Sequence, residues 1–143
     1  MLLTGSDPID AERAFSRAAR ARRREALRRV LRREPAACGR LPVFDGSAPA
    51  AAAIGGGVLE LPLDAINGTV EPSRAALFDR AFRPATRTRS RWQRVWLAEH
   101  RGAPLPPIAV VPVAGGYAVR DGHHRVSVAR ARGALTIDAE VRS

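Results

Sequence analysis

The spacing of apolar and charged positions near the start of the chain predicts a long, mostly polar helix. Residues 10–34 contain no glycine or proline, and their apolar positions recur at helical spacing. We expect Ser6 or Asp7 to cap this helix, with Pro8 in its first turn. The apolar positions form only a narrow stripe on one face. They are Phe15, Ala19, Ala26, Leu27, Val30 and Leu31.

Apolar periodicity disappears at residues 35–57, where alanine, glycine and proline dominate. This composition predicts a linker. One apolar cluster, Leu-Pro-Val-Phe at residues 41–44, interrupts it. Such a cluster commonly packs on its own domain, and docking on another molecule is the alternative. The predicted organisation is a helix in residues 1–34, a linker in residues 35–57 and a compact domain in residues 58–143.

Short apolar runs bounded by glycine and proline predict the elements of the compact domain. Their order is β-α-α-β-β-α-β, which indicates a small α+β fold. A proline in the first run suits an edge strand, because an edge strand needs fewer backbone donors. The predicted strands span residues 58–63, 108–113, 117–120 and 137–141, and the predicted helices span residues 72–83, 90–101 and 123–132.

Two tryptophans lie four positions apart in the second of these helices, at Trp92 and Trp96. With Val95 and Leu97 they predict a buried face, since residues at this spacing lie on one side of a helix. A platform on which bases stack is the alternative. Nearby arginines predict either a path for a polyanion or only a solvated face. They are Arg83, Arg87, Arg89, Arg91 and Arg94.

The chain is strongly basic, with a net charge of +10 and 24 basic residues that are all arginine. Eleven arginines and only five acidic residues lie in residues 1–40. Such a surface attracts polyanions, so we expect nonspecific contacts with the DNA or RNA backbone. An acidic partner protein on the apolar stripe is the alternative. The arginines expected to contact phosphates are Arg20, Arg22, Arg23, Arg24, Arg28, Arg29, Arg32 and Arg33.

Cysteine content and hydropathy bear on the compartment. Cys38 is the only cysteine, which excludes an internal disulfide and a multi-cysteine zinc site. The first residues lack a positive start followed by a long apolar run, so no export signal is predicted. No run reaches the roughly 20 apolar residues of a membrane span. We therefore expect a cytoplasmic protein without membrane contact.

The candidate chemistry lies in residues 117–133, where a short strand is predicted to pass through Gly122 directly into a helix. The first N–H groups of a helix lack partners within it, and the helix dipole makes that end partially positive. Gly122 allows a ligand to approach the backbone closely. His123, His124 and Arg125 add hydrogen-bond donors in the first turn. This junction predicts a phosphate site.

Two segments resemble the ParB/sulfiredoxin-like superfamily: Asp-Gly-His-His-Arg-Val-Ser-Val-Ala at residues 121–129 and Gly-Ala-Pro-Leu-Pro-Pro-Ile-Ala-Val-Val at residues 102–111. The resemblance extends over residues 58–142 and is to a ParB N-terminal-like or ParB-like nuclease domain without a helix-turn-helix. It implies a nucleoside triphosphate ligand and magnesium. It implies phosphate contacts from Gly122, His123, His124, Arg125 and Ser127, with Pro107 and Ile108 near the base.

Departures from the family pattern limit the chemistry that the resemblance implies. His123 stands where nucleotide-hydrolysing ParB proteins have an acid and where sulfiredoxins have the catalytic cysteine. Sulfiredoxin activity is not expected, because Cys38 lies far away in the linker. The resemblance suggests a chromosome-partitioning-like protein, but the centromere binding of full partition proteins is not transferred.

Each residue at the junction also has a structural interpretation. His123 and His124 could hydrogen-bond within a surface turn, or one of them could serve as a general base that titrates near neutral pH. Arg125 could bind phosphate or pair with Asp121, four positions earlier. Ser127 could donate to phosphate or face solvent. No metal site is predicted from the histidines, since neighbouring side chains diverge by about 100° on a helix.

The sequence supports two classes of function. The first is a nucleotide-binding module that acts as a switch, a phosphotransferase or a hydrolase, in which Asp121 or Glu71 would hold a metal. The alternative is a nonenzymatic nucleic-acid-binding or protein-interaction protein that uses the arginine-rich helix. The two functions are compatible in one chain.

Overall fold

Three α-helices and five strands make up the computed structural model, which describes residues 5–46 and 57–142. This α+β architecture confirms the predicted fold class. Short 3₁₀ helices lie between several of the elements. The helices are α1 (Asp7–Leu31), α2 (Arg89–His100) and α3 (His123–Ala131), and the strands are β1 (Val58–Pro62), β2 (Ile66–Thr69), β3 (Ile108–Val113), β4 (Gly116–Asp121) and β5 (Thr136–Val141).

The strands form one mixed sheet in the order β1-β5-β3-β4-β2. β1 pairs with β5 in antiparallel fashion, and β3 and β4 form the predicted antiparallel hairpin. The pairs β3/β5 and β2/β4 are parallel. Pro62 lies at the end of the edge strand β1, where its missing N–H breaks no ladder hydrogen bond. The edge prediction is confirmed.

Strand β2 has no counterpart in the prediction, because its residues Ile-Asn-Gly-Thr show no clear alternation. The linker stabilises it: the Thr69 N–H donates to the Pro42 carbonyl at 2.9 Å, and the Phe44 N–H donates to the Thr69 carbonyl at 2.8 Å. Gly68 permits this approach, since a Cβ there would lie 2.3 Å from the Pro42 oxygen. Leu41 is buried in the same core. The apolar cluster of the linker thus packs on its own domain.

The segment before α2 differs from the prediction, which gave a helix over residues 72–83. A 3₁₀ helix spans only Pro72–Leu77. A turn follows at the buried Asp79, whose carboxylate accepts the backbone N–H groups of Ala81 and Arg83, each at 2.9 Å. An aspartate that bonds neighbouring backbone competes with helix formation, and this explains why the predicted helix is wrong.

Apolar side chains form two buried clusters that meet at α3. Val126 of α3 belongs to the cluster beneath the sheet. Val128, two residues later, belongs to the cluster between α1, α2 and α3. In that second cluster Phe15 meets Trp92 edge to face, with ring centroids 5.5 Å apart, and Trp96 is fully buried. The predicted buried face of α2 is confirmed.

Helix α1 lies slightly earlier in the chain than predicted. It begins at Asp7, with Ser6 as the N-cap residue, and ends at Leu31. At 25 residues it is the longest helix described, but it is highly charged. Within residues 5–46 and 57–142, no helix is long and apolar enough to cross a membrane.

Only the first half of α1 packs on the domain. Phe15 and Ala19 are buried, whereas Leu27, Val30 and Leu31 are 61%, 71% and 74% exposed. The predicted apolar stripe is thus buried at one end and exposed at the other, because α2 has 12 residues and cannot cover the 25 residues of α1. We call residues 7–19 the inner half of α1 and residues 20–31 its outer half.

Candidate functional site

The predicted strand-to-helix junction is present and depends on Gly122. β4 ends at Asp121 and α3 begins at His123, with Gly122 between them at φ 108°. This left-handed backbone favours glycine. A Cβ on Gly122 would also lie 2.5 Å from Cγ2 of Ile108. The glycine is therefore required by the fold itself, through its backbone conformation and its contact with β3.

A polar cavity of about 200 Å³ lies at the start of α3, and we call it the α3 cavity. Its lining combines the backbone of Gly122 and both histidines of the junction with arginines from four separate parts of the chain. Two carboxylates also face it. The charged residues of the lining are Arg74, Arg91, Arg120, Arg125, Glu71 and Asp121.

His123 is fixed in place by neighbours on the sheet. Its side chain is only 4% exposed, and Nε2 lies 2.7 Å from the Thr69 hydroxyl oxygen. That hydroxyl also accepts the Glu71 N–H at 2.8 Å. The ring stacks on Phe78 with centroids 6.4 Å apart. His123 therefore has a partner within the protein and a single orientation.

His124 is buried in a different way. It is 8% exposed, and its ring meets the Phe78 ring edge to face at 5.2 Å between centroids. In the part of the chain that the structure describes, no hydrogen bond to this ring is found. Because His124 lines the α3 cavity, its nitrogen atoms are left for a ligand.

Both histidines are neutral at pH 7. Burial, followed by the positive charge of Arg74, lowers the pKa of His123 to about 4. Burial, followed by the charges of Arg91 and Arg74, lowers the pKa of His124 to about 4. These values correct the expectation of a base that titrates near neutral pH: desolvation and nearby arginines both disfavour the imidazolium.

Arg125 is held by the protein itself. Its Nη1 donates to the carbonyl oxygens of Pro106 and Pro107, and its Nη2 lies 3.2 Å from Oδ2 of Asp121. These contacts tie the start of α3 to the segment that enters β3. Of the two interpretations of Arg125, the structure thus shows the pairing with Asp121.

Arg74 and Arg91 are the arginines that remain for a ligand. Arg120 approaches Glu71 at 3.8 Å. Among the described residues, by contrast, no carboxylate pairs with Arg74 or Arg91. Arg74 was missed from the sequence because it lies in the 3₁₀ helix, far from the motif along the chain. Arg91 was grouped only with the charged run around α2.

Ser127, Pro107 and Ile108 lie outside the α3 cavity. The Ser127 hydroxyl donates to the Phe82 carbonyl and accepts the indole N–H of Trp92 at 2.8 Å, so it is occupied in the core. Ile108 is buried beneath Gly122 and lines a separate cavity of about 340 Å³, which Arg125 also borders. Pro107 is half-buried and contributes its carbonyl to Arg125.

The arginines predicted to contact nucleic acid are spread around α1, and two of them, Arg20 and Arg24, line a cavity of about 520 Å³. Arg28 and Arg32 pair with Glu25 at 3.5 and 3.0 Å, and Arg29 lies against Gly39. Arg22 is partly buried. The exposed arginines without a carboxylate partner among the described residues are Arg20, Arg23, Arg24 and Arg33.

No resident metal centre is evident in residues 5–46 and 57–142, where no group of three or more metal-ligating side chains comes together. Glu71 and Asp121 line the same cavity, however. Magnesium in phosphate-binding proteins is commonly held by one or two carboxylates together with phosphate oxygens. The two carboxylates are the candidate ligands, and each also faces an arginine, Glu71 facing Arg120 and Asp121 facing Arg125.

Comparison with known proteins finds similarity only in the backbone structure. No family model matches the chain, and no curated protein sequence matches it. One solved structure with a similar backbone is that of sulfiredoxin from Arabidopsis thaliana, which is 22% identical with a TM-score of 0.46. The match covers 62% of this chain and 86% of that chain. A likeness at this level carries no argument about ligand or chemistry.

Proposed function

We propose that this protein binds a nucleotide whose phosphate lies in the α3 cavity. The observation that carries this proposal is the pair Arg74 and Arg91. Neither has a carboxylate partner among the described residues. The positive charge of each lowers the pKa of His124, whose ring has no hydrogen-bond partner there. Guanidinium groups bind phosphate oxygens through charge-assisted hydrogen bonds.

The helix end adds to this attraction. The N–H groups in the first turn of α3 lack carbonyl partners within the helix, and the helix dipole favours an anion there. Neutral His124 supplies one N–H donor to a phosphate. The proposal therefore uses Arg74, Arg91, His124 and the backbone at Gly122, while Arg125 positions the junction.

The size of the α3 cavity sets how a nucleotide would lie. About 200 Å³ accommodates phosphate groups but not a complete nucleotide, so the sugar and base would lie outside it. The 340 Å³ cavity beyond Arg125 is the proposed place for the base. This agrees with the resemblance to ParB-like proteins, which implies a base near Ile108.

Magnesium would be held by Glu71 and Asp121 together with phosphate oxygens. It would neutralise phosphate charge when bound. We propose binding without hydrolysis, because the residue after Gly122 is His123, which is neutral and held by Thr69, rather than an acid.

A second proposed function is nonspecific binding of nucleic acid by the outer half of α1 and the residues just after it. Arg20, Arg23, Arg24 and Arg33 are exposed and lack carboxylate partners in the described part of the chain. Exposed arginines of this kind suit contacts with backbone phosphates, which carry no sequence information.

The nucleotide proposal is tested by thermal unfolding with ATP, ADP and GTP, with and without magnesium. A nucleotide at 100 times its Kd should stabilise the protein by about 2.7 kcal/mol. Arg91→Gln and Arg74→Gln should reduce this shift strongly, because each removes a charge-assisted contact. Arg94→Gln is the matched control, since Arg94 is an exposed arginine of α2 that does not line the α3 cavity.

Equal nucleotide shifts in the parent, Arg91→Gln and Arg74→Gln proteins would place the ligand elsewhere. Substitution of Gly122 is a poor test, because a larger residue would clash with Ile108 whether or not a ligand binds there. Arg125→Ala is also unsuitable, since it would release the contacts to Pro106 and Pro107.

A further inference from the structure

A larger cavity lies where residues 14–21 of α1 meet α2, α3 and the turn before α2. Its volume is about 670 Å³, and we call it the α1 groove. It shares no lining residue with the α3 cavity. Its volume lies within the range of sites that bind small organic molecules. The groove therefore has room for a ligand of its own.

The floor of the α1 groove is apolar. Phe82 and Trp96 lie beneath it and are almost completely buried, so the surface open to a ligand comes mainly from alanines. Alanines line the α1 side, among them Ala18 and Ala21. Small side chains on α1 keep the groove open, and a bulkier residue at either position would fill it. An apolar floor favours a ligand with an apolar or aromatic body.

The border of the groove is positively charged. Four arginines line it, and no carboxylate does. Arg132 stacks on Trp96 at 5.4 Å from the ring centroid. The buried Nε of Arg130 has no hydrogen-bond partner. Among the described residues, no carboxylate pairs with Arg17 or Arg132, although Arg83 pairs with Asp79 at 3.3 Å.

We infer that the α1 groove binds an amphipathic organic anion, a small molecule with an aromatic or aliphatic body and one acidic group. The body packs on the alanine-lined floor above Phe82 and Trp96, and the acidic group lies beside Arg17 and Arg132. Charge complementarity selects the anion, since four arginines without a carboxylate in the lining repel cations. Burial of the body distinguishes this ligand from inorganic anions, which gain nothing from an apolar floor.

The test uses 1-anilinonaphthalene-8-sulfonate, whose fluorescence rises when it leaves water. We expect saturation at one probe per chain. Decanoate should displace the probe. Equal concentrations of sodium sulfate or decanol should not, because sulfate lacks an apolar body and decanol lacks a negative charge. Displacement by sulfate alone would identify a simple ion site and overturn the inference.

Two variants locate the probe. Arg17→Gln should weaken its binding about tenfold, the loss expected for one charge-assisted contact. Arg13→Gln is the matched control, since Arg13 is exposed one turn earlier on α1 and does not line the groove. Equal binding by the parent and both variants would overturn the inference.

Ala21→Trp should abolish probe binding by filling the groove. Circular dichroism and thermal unfolding establish whether this variant folds. If it does not fold, the comparison of Arg17→Gln with Arg13→Gln decides the question. A folded Ala21→Trp protein that binds the probe as the parent does would show that the ligand lies outside the groove.

Discussion

The outer half of α1 and the α3 cavity are both basic, yet they are built in opposite ways. In the outer half, the arginines are neighbours in sequence and most of them are exposed to solvent. In the α3 cavity, Arg74 comes from a 3₁₀ helix, Arg91 from α2 and Arg125 from α3. The charges of Arg74 and Arg91 act on His123 and His124, which are buried and neutral.

This difference shows that charge density along a sequence does not identify a small-molecule site. Exposed arginines are well hydrated and screened by salt, so each contributes little to the binding of a small anion. In a partly buried cavity the same charge acts through a lower dielectric and shifts the pKa of its neighbours. The lowered pKa values of both histidines are a consequence of that environment.

The largest expected effect concerns the packing on which both regions depend. Trp96→Ala removes a buried side chain between α1, α2 and α3 and should lower the free energy of unfolding by about 3 to 5 kcal/mol. Because α2 carries Arg91 and supports α1, polyanion and nucleotide binding should both decline near the unfolding transition. Urea unfolding followed by circular dichroism measures the loss.

Leu31→Ala is the contrasting variant, since Leu31 is 74% exposed at the end of the outer half. Its effect should stay within about 0.5 kcal/mol. A loss as large as that of Trp96→Ala would show that the outer half is packed after all, and the distinction between the two halves of α1 would fail.

The next effect separates the two regions by their dependence on salt. Replacing Arg20, Arg23, Arg24 and Arg33 by glutamine removes four exposed charges from the outer half and the residues just after it. If each contacts one phosphate, the slope of log affinity against log salt for random duplex DNA should fall in magnitude by about 3.6. Fluorescence anisotropy between 50 and 200 mM salt measures this slope.

The comparison for the α3 cavity is the double variant Arg74→Gln, Arg91→Gln, which removes two charges. It should keep most of the salt slope for DNA and lose the nucleotide-induced thermal shift. The opposite pattern, with DNA binding lost and nucleotide binding retained, would reverse the assignment of the two regions.

Local signals in the sequence were sufficient for most elements of the fold. Gly122 between a strand and a helix is detectable because one residue determines both the left-handed turn and the start of α3. The hairpin of β3 and β4 and the buried face of α2 are likewise set by short-range patterns. Secondary structure of this kind depends on residues that are close along the chain.

Features that depend on distant contacts could not be predicted. β2 pairs with β4 and is also bound by linker residues near Pro42, and neither contact is visible in Ile-Asn-Gly-Thr. Arg74 lines the α3 cavity from a 3₁₀ helix that is distant along the chain from the strand-to-helix junction. The role of Ser127 was also hidden, since its partners Phe82 and Trp92 come from other elements.

A further expected effect is a pH dependence that arises in the α3 cavity. The pKa of each buried histidine is about 4 in the fold, against 6.5 for the free side chain. The unfolded chain therefore binds more protons than the folded one below pH 6.5, and stability falls as pH decreases toward 4. Between pH 7 and pH 5 the loss should be about 2 kcal/mol for each histidine.

The variant His124→Gln should remove the contribution of one histidine to this loss. Its free energy of unfolding should therefore fall less steeply between pH 7 and pH 5 than that of the parent. The readout is the slope of unfolding free energy against pH, which is insensitive to any constant destabilisation by the substitution. The quadruple arginine variant of the outer half should show the parental slope, because arginine stays charged throughout this range. Equal slopes in the parent and His124→Gln proteins would mean that His124 is not held neutral by burial and by Arg91.

A bound nucleotide extends this last prediction. Phosphate in the α3 cavity would oppose the positive charge of Arg74 and Arg91 and raise the pKa of His124 toward its ordinary value. The acid-induced loss of stability should then be smaller with nucleotide than without it, and nucleotide affinity should rise modestly from pH 7 to pH 5 as His124 takes up a proton. DNA affinity of the outer half should change much less over the same range. A nucleotide affinity that falls toward pH 5 would show that the phosphate does not lie beside His124. The assignment of Arg74 and Arg91 to phosphate binding in the α3 cavity would then fail.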